Sequence, residues 1–478
     1  MHKLQVGIMP GRRRNAHVRI IGLLAHIATG KMTLNGENQP GWEDLPEIIF
    51  EEIYSYLTPK QRHLASQVCS TWYAAFYSPR VWETFILEKK SLTRRRFNFF
   101  KGIQRELCPR KTQMCLYQVG RYFKKMKIVP TIDYFNVYEF LRILQAFLSF
   151  YEDYPMPLLK TFHFTFACES FDISGRQIHG TGGKMLEGLK SLMEALNGVK
   201  YFTVNQLMLA NDDLDGVLES VSKQCSQSII RLEILDFSSS PYPLTAIVNC
   251  FENLQTLVLG PHNVDDEVVL LLAGTVLNEL QLVQDRYTCD ALPVSADAWR
   301  LAREMAPHLK VSLEIRGRTK DELLLQPHAP VYKIVLATPT YRITDLLMTS
   351  VIYNYQSTLE IFAQKVFVRG SRSFHDRCDT SVLSLVRHCP KLHTLIVSER
   401  MSTMTVILLA EEGNLENLYV RRYALIKKAD WPRCSNWTME FYRGVKYSAW
   451  SYGRTRERIE KIYDKRWSFL RDKQFSAL

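Results

Sequence analysis

Apolar residues recur every four positions at Leu45, Ile49, Ile53 and Leu57, and Ile48 and Tyr56 widen that line into a stripe. This period is one face of an amphipathic helix. Asp44 can accept from first-turn amides, and Glu47 stands at the reciprocal capping position. Pro46 falls where a missing N–H costs little. Thr58-Pro59-Lys60-Gln61 repeats the same grammar, and Leu64, Ala65 and Val68 give a second helix its apolar face. Ser70 or Thr71 caps a third helix carrying Trp72 and Phe76, which Ser78-Pro79 ends. Three short helices cannot bury enough surface to be robust alone. Their stripes must lie against another part of this chain or another polypeptide, and periodicity does not say which.

Further along, the pattern changes to a short phrase: apolar, two variable, apolar, one variable, apolar. It reads Phe123-Met126-Ile128, Leu159-Phe162-Phe164, Val199-Phe202-Val204, Leu232-Leu235-Phe237 and Leu254-Leu257-Leu259. It continues as Leu277-Leu280-Leu282, Val331-Ile334-Leu336, Leu392-Leu395-Val397 and Leu415-Leu418-Val420, with weaker copies near Leu309 and Leu359. The closing alternation is a strand signal. Helical spacings lie between phrases: Leu214, Val217, Leu218 and Val221; Val268 to Leu272 behind Asp265-Asp266; Val382, Leu385 and Val386 behind Asp379. Alternating strand and helix at a loose period is the pattern of a leucine-rich repeat, in which neighbours bury each other's strand faces in a curved parallel sheet. A doubly wound α/β fold is the alternative. The predicted class is therefore α/β, with an irregular solenoid and outer helices over 119–425.

Residues 89–118 are basic and aromatic and read as linker helices. Beyond Val420 the phrase stops. Ile459, Ile462, Tyr463, Trp467 and Leu470 form one stripe on a basic helix, so 426–478 is predicted to cap the last repeat.

The composition is that of an ordinary globular chain of 478 residues, 46% hydrophobic and 23% charged. A net charge of +12 favours acidic partners without choosing among them. Ten scattered cysteines with no CxxC fit free thiols in a reducing compartment. Arg12, Arg13, Arg14 and Arg19 surround the apolar run Ile20 to Ala28, which is too short to span a bilayer. Residues 1–40 are read as a flexible basic tail, with a targeting segment as the alternative.

The order Leu45-Pro46, Ile49, Ile53, Leu57, Leu64, Val68-Cys69, Trp72, Val81-Trp82 resembles the F-box motif in residue identity and spacing over 41–88. The phrases that follow resemble the leucine-rich repeats found behind F-boxes. F-box proteins are substrate receptors of cullin-RING ubiquitin ligases of the Skp-cullin-F-box type. The resemblance implies that Leu45, Pro46, Ile49, Ile53, Leu57, Leu64, Val68 and Cys69 bind a Skp-family adaptor, and through it the cullin-RING. Trp72 and Trp82 would pack the motif, and the repeats would hold a protein substrate. Ser70 stands where many F-boxes carry a basic residue.

The resemblance asks for no catalytic residue, metal or cofactor, and the motifs agree. The stretch Gly180 to Lys184 lacks the earlier glycine and the following Ser or Thr of a phosphate loop, and reads as a flexible loop. His375, Cys378, His388 and Cys389 are poorly placed to surround one zinc ion. Basic residues beside aromatics at 94–100 and 122–125 lack any RNA- or DNA-binding motif. Two other functions remain: an F-box scaffold outside any ligase, and a basic nucleic-acid-binding repeat protein. The expected location is cytoplasm, nucleus or both, with no membrane partner.

Overall fold

The computed structural model describes residues 45–478 apart from 101, 132, 152, 167–168, 173–174, 179, 211–212, 215, 318–321 and 368–375. The Asp44 cap, the basic apolar N-terminal segment and His375 lie outside the described residues. Two compact units are present. One holds the described residues up to Thr203 with Glu219–Ser228, and the other holds Val204–Leu218 with Ile229–Leu478.

The first unit opens with helices α1 (Glu47–Ser55), α2 (Pro59–Ala65) and α3 (Ser70–Phe76), then a 3-10 turn over Pro79–Trp82. Pro46 occupies the cap position of α1 and supplies no side-chain cap. The α2 start has the expected reciprocal box: Gln61 N–H donates to Thr58 Oγ1, and Thr58 N–H to Gln61 Oε1 at 3.0 Å. Cys69, rather than Ser70 or Thr71, holds the cap position of α3, and no side-chain cap bond forms.

Strand β1 (Thr84–Leu87) follows without a linker and pairs in parallel with β4 (Lys125–Ile128), which pairs with β5 (Thr161–Thr165). Phe85, Met126 and Phe162 stack in register, as do Leu87, Ile128 and Phe164, all buried. Trp82, Phe85 and Leu87 therefore make one more copy of the phrase, ahead of Phe123-Met126-Ile128. The last residues of the helical motif are the first of the repeats.

The basic stretch after β1 departs from expectation. Instead of linker helices over its whole length, Thr93–Asn98 (β2) and Gly102–Leu107 (β3) form an antiparallel hairpin, and only Pro109–Val119 (α4) is helical. The turn explains this. Phe100 N–H donates to Asn98 Oδ1 at 2.9 Å, and Gly102 has φ +68°, a conformation that glycine accepts without strain. Helix α5 (Tyr134–Phe150) covers the sheet, burying Val137, Phe140, Leu141 and Leu144. Strands β6 (Glu169–Asp172) and β7 (Gly175–Ile178) pair antiparallel; Gly183 and Lys184, expected in a loop, begin helix α6 (Gly183–Ala195), and β8 (Tyr201–Asn205) comes after it.

In the second unit β9 (Arg231–Leu235), β10 (Thr256–Leu259), β11 (Glu279–Gln284), β12 (Lys310–Arg316) and β13 (Val331–Ala337) lie in chain order. The strands β14 (Ile361–Gln364), β15 (Thr394–Val397) and β17 (Asn417–Val420) continue it, every neighbour parallel, and the two-residue β16 (Met401–Ser402) stands outside this order. Order without reversal is that of a solenoid; a doubly wound sheet reverses at a switch point. Leu232, Leu257, Leu280 and Val311 make one buried ladder, and Leu313, Ile334, Phe362, Leu395 and Leu418 the next. Leu232 is thus the middle of its phrase, which runs Ile229-Leu232-Ile234 and not Leu232-Leu235-Phe237. Connecting helices repeat one start signal: Asp265, Ser295, Thr344 and Ser402 each accept from the amide three residues on.

The expected C-terminal helix is broken. It spans Tyr452–Tyr463 and stops at Asp464, in the left-handed region at φ +48°. Trp467 and Leu470 belong to an extended segment beside β17. Trp467 Nε1–H donates to the Leu418 carbonyl at 2.8 Å and Leu470 N–H to Val420 at 3.0 Å. A short helix, Asp472–Phe475, then buries Phe475 against Val335, Ala363 and Ile396, residues that alternate with the buried ladder.

Candidate functional site

Helix α1 carries two apolar stripes, about 100° apart around its axis. Phe50 and Tyr54, which the fourfold spacing did not single out, are fully buried. Phe50 meets the Trp72 ring edge-on at 5.2 Å, and the Tyr54 hydroxyl donates to the Trp72 carbonyl at 2.8 Å. Burial raises the Tyr54 pKa. Their own i, i+4 spacing was the available signal.

The other stripe faces outward. Pro46 is exposed, and Ile49 is 42% exposed, Leu64 on α2 54% and Val68 44%. Ile48, at 60%, adds to this surface. Leu45, Ile53 and Cys69 are half-buried. Leu57 departs from the set: it is 4% exposed, closed into the turn where its carbonyl accepts from Arg62 Nε at 3.0 Å. Ile48, Ile49, Leu64 and Val68 thus leave apolar side chains open on this small helical unit.

Trp72 and Trp82 are both buried. Trp82 Nε1–H donates to the Phe76 carbonyl at 2.6 Å, and Phe76 lies edge-on at 5.1 Å. Arg62 stands 4.9 Å over the Trp82 ring, and its Nε also donates to the Tyr54 carbonyl. Burial lowers the Arg62 pKa to about 10. Glu51, on the side of α1, accepts from Ser78 Oγ and from Arg80 at 3.1 Å.

In each unit, taken by itself, the strand positions that alternate with the buried ladder are further candidate positions. In the first unit they include Lys125 and Lys127, exposed, and His163, bonded to Thr165 at 3.0 Å. In the second unit the charges are largely paired. Arg316 meets Glu314 at 2.5 Å, Lys310 meets Glu360 at 2.9 Å, and the Tyr332 hydroxyl donates to Glu279 at 2.5 Å. Beside them Asp236 is buried near Asp285; burial first, then the Asp285 charge, push the Asp236 carboxyl up to about 8. Over β13–β15 the surface is apolar and Phe475 covers it.

The described cysteines carry free thiols; Cys378 and Cys389 are buried and His388 is exposed. Among the described residues no three His, Cys, Asp or Glu side chains are grouped to hold a metal. No helix among them is long and apolar enough to cross a membrane.

Comparison with protein families matches residues 42–88 to the F-box-like model. This stretch is an F-box-like domain. The chain is thus an F-box-like domain running directly into leucine-rich-repeat-type strands. Among solved structures, the leucine-rich repeat-containing protein LegL7 from Legionella pneumophila is similar with a TM-score of 0.39 and 8% identity, over 74% of this chain and 94% of that one. A chain of the Drosophila Toll–Spatzle complex is similar with a TM-score of 0.24 and 12% identity, over 67% of this chain and 46% of that one. No curated protein matches in sequence.

Proposed function

We propose that this protein is the substrate-recognition subunit of a Skp-cullin-F-box ubiquitin ligase. The observation that carries the reading is the open apolar face of the F-box-like domain. Ile49, Leu64 and Val68 point away from the Phe50–Tyr54–Trp72 core and are left for a second polypeptide. Leu45, Pro46, Ile53 and Cys69 border them, and Leu57 supports the face from below. A Skp-family adaptor would cover that surface and bring the cullin-RING.

The receptor contributes no bond-making group in this reading. Holding a substrate lysine near a charged conjugating enzyme raises its effective concentration, and the chemistry belongs to that enzyme. The alternate face of the repeats is the substrate surface. In the second unit its open part lies on β9–β12, since Phe475 covers β13–β15.

The test is recovery of adaptor and cullin with the full chain, beside a variant carrying Leu45→Ala and Pro46→Ala. The reading expects both partners with the native chain, neither with the variant, and an unchanged melting profile of the repeats. Adaptor without cullin would move the assignment to a scaffold outside the ligase. Undiminished recovery by the variant would refute the docking face.

A further inference from the structure

A cleft of about 630 Å³ lies within the first unit, between α2, the β2–β3 hairpin and α4. Its size falls within the ~300–1,000 Å³ typical of sites for small organic ligands. The floor and walls are apolar: Phe76 and Trp82 at the base, Leu64, Leu92, Met114 and Val119 around them. The rim is cationic: Lys60, Lys90, Arg94, Arg95, Arg105 and Lys111 line it, and no carboxylate does.

The hairpin register adds an independent observation. Arg95 stands directly across from Arg105. Like charges at facing strand positions destabilise a pair. Arg94 and Arg96 find Glu106 at 3.4 and 2.9 Å. Among the described residues no carboxylate answers Arg95 or Arg105, nor Lys60 or Lys90. The buried Arg62 over the Trp82 ring adds another positive charge, which among the described residues is held by the Tyr54 and Leu57 carbonyls and the ring.

We propose that this cleft binds an organic phosphate with an apolar or planar body. The phosphate would sit between the Arg95 and Arg105 guanidinium groups, whose forks match its oxygens. The body would lie on Leu92 and Met114, above the Trp82 floor. A carboxylate carries less charge than this rim can answer, and an uncharged apolar ligand would leave the facing arginines unrelieved. The cleft is separate from the F-box-like docking face except at Leu64, and the inference does not depend on the adaptor.

The test is calorimetric titration of the full chain with three probes: pyrophosphate, dioctanoyl phosphatidic acid and ATP. The first supplies the anion alone, the second a lipid body, the third a planar one. At least one bodied probe is expected to bind about tenfold or more tightly than pyrophosphate, and which one does so distinguishes lipid from nucleotide. Arg95→Gln with Arg105→Gln should weaken that probe at least about tenfold. The same variant should melt no lower than the native chain at low salt, since it removes the facing like charges; this separates lost binding from lost folding. Met114→Ser should weaken the bodied probe and leave pyrophosphate unchanged. Equal binding of all three probes, no binding of either bodied probe, or full binding by the double arginine variant would overturn the proposal.

Discussion

Trp82 closes the F-box-like domain and opens the repeats, so its removal should unlock both. Replacement by alanine empties a side chain that is only 2% exposed. It leaves the Phe76 carbonyl without its 2.6 Å donor and strips the ring from under Arg62. Truncating a buried Trp costs about 3–5 kcal/mol, and the stranded polar groups place Trp82→Ala towards the top of that range. Trp82→Phe keeps a ring for Phe76 and Arg62 and should cost about half as much or less. Urea denaturation reads the difference. With a slope of about 2–3 kcal/mol/M for a unit of this size, the first unit's midpoint should fall by about 1.5–2 M. Hydrogen exchange gives a local check. Lys124 and Lys125 N–H donate to the Glu83 carbonyl at 2.9 and 2.8 Å, and both should lose protection together. A midpoint shift under about 0.5 M, or loss confined to the helices with Lys124 and Lys125 still protected, would refute the shared role.

Three further outcomes follow from the same geometry. Phe475→Ala should destabilise the second unit by about 3–5 kcal/mol in urea melts, because it uncovers Val335, Ala363 and Ile396 as well as emptying its own site. Asp236→Asn should raise the second unit's melting temperature at pH 9 and have little effect near pH 4. A carboxyl whose folded pKa is raised to about 8 binds a proton that the unfolded chain has lost. Native stability from this group is therefore fully present below the ordinary aspartate pKa of ~4 and is lost as pH rises towards about 8. Gly260→Ala should destabilise the second unit, since an added Cβ would stand 2.5 Å from the His262 ring, itself buried; a neutral outcome in a thermal melt would show that the ring can move aside.

Much of the repeat architecture could be read from the order of apolar residues. The strand phrases fall on strands, and Asp265 caps its helix as its position suggests; the helix expected behind Asp379 forms over Asp379–His388 without a side-chain cap. The errors have physical causes. Leu232-Leu235-Phe237 satisfies the phrase one step out of frame because β9 is apolar on both faces near its end, with Leu235 packed against Val258 and Val283. The runs around Val335 and Ile396 carried the same signal. A continuous apolar stretch means that both faces of a strand are covered, and the cover here is Phe475. The C-terminal stripe kept helical spacing through Trp467 and Leu470, but the left-handed turn at Asp464 ends the helix before either.

The exposed apolar face of the first helices was legible as a stripe and not as a surface. Periodicity placed Ile49 and Ile53 together on α1 without telling whether that side or the Phe50–Tyr54 side would turn inward. Trp72 decides it, because its ring lies against Phe50 and Tyr54. Leu57 kept the period and still turned inward, since the chain bends there to let Arg62 reach its carbonyl. The hairpin and its cationic cleft were hidden in a stretch whose arginines suited a helix as well as a strand; Asn98 and Gly102 hold the turn that separates the two.

The most direct measurement is the affinity of a purified Skp-family adaptor for the full chain and for the variant carrying Ile49→Ala, Leu64→Ala and Val68→Ala. These side chains are exposed, so the variant should melt within about 0.5 kcal/mol per site of the native chain. Removing three central apolar anchors should weaken binding by about a hundredfold or more. An unchanged dissociation constant in a folded variant would contradict the claim that this face receives another polypeptide.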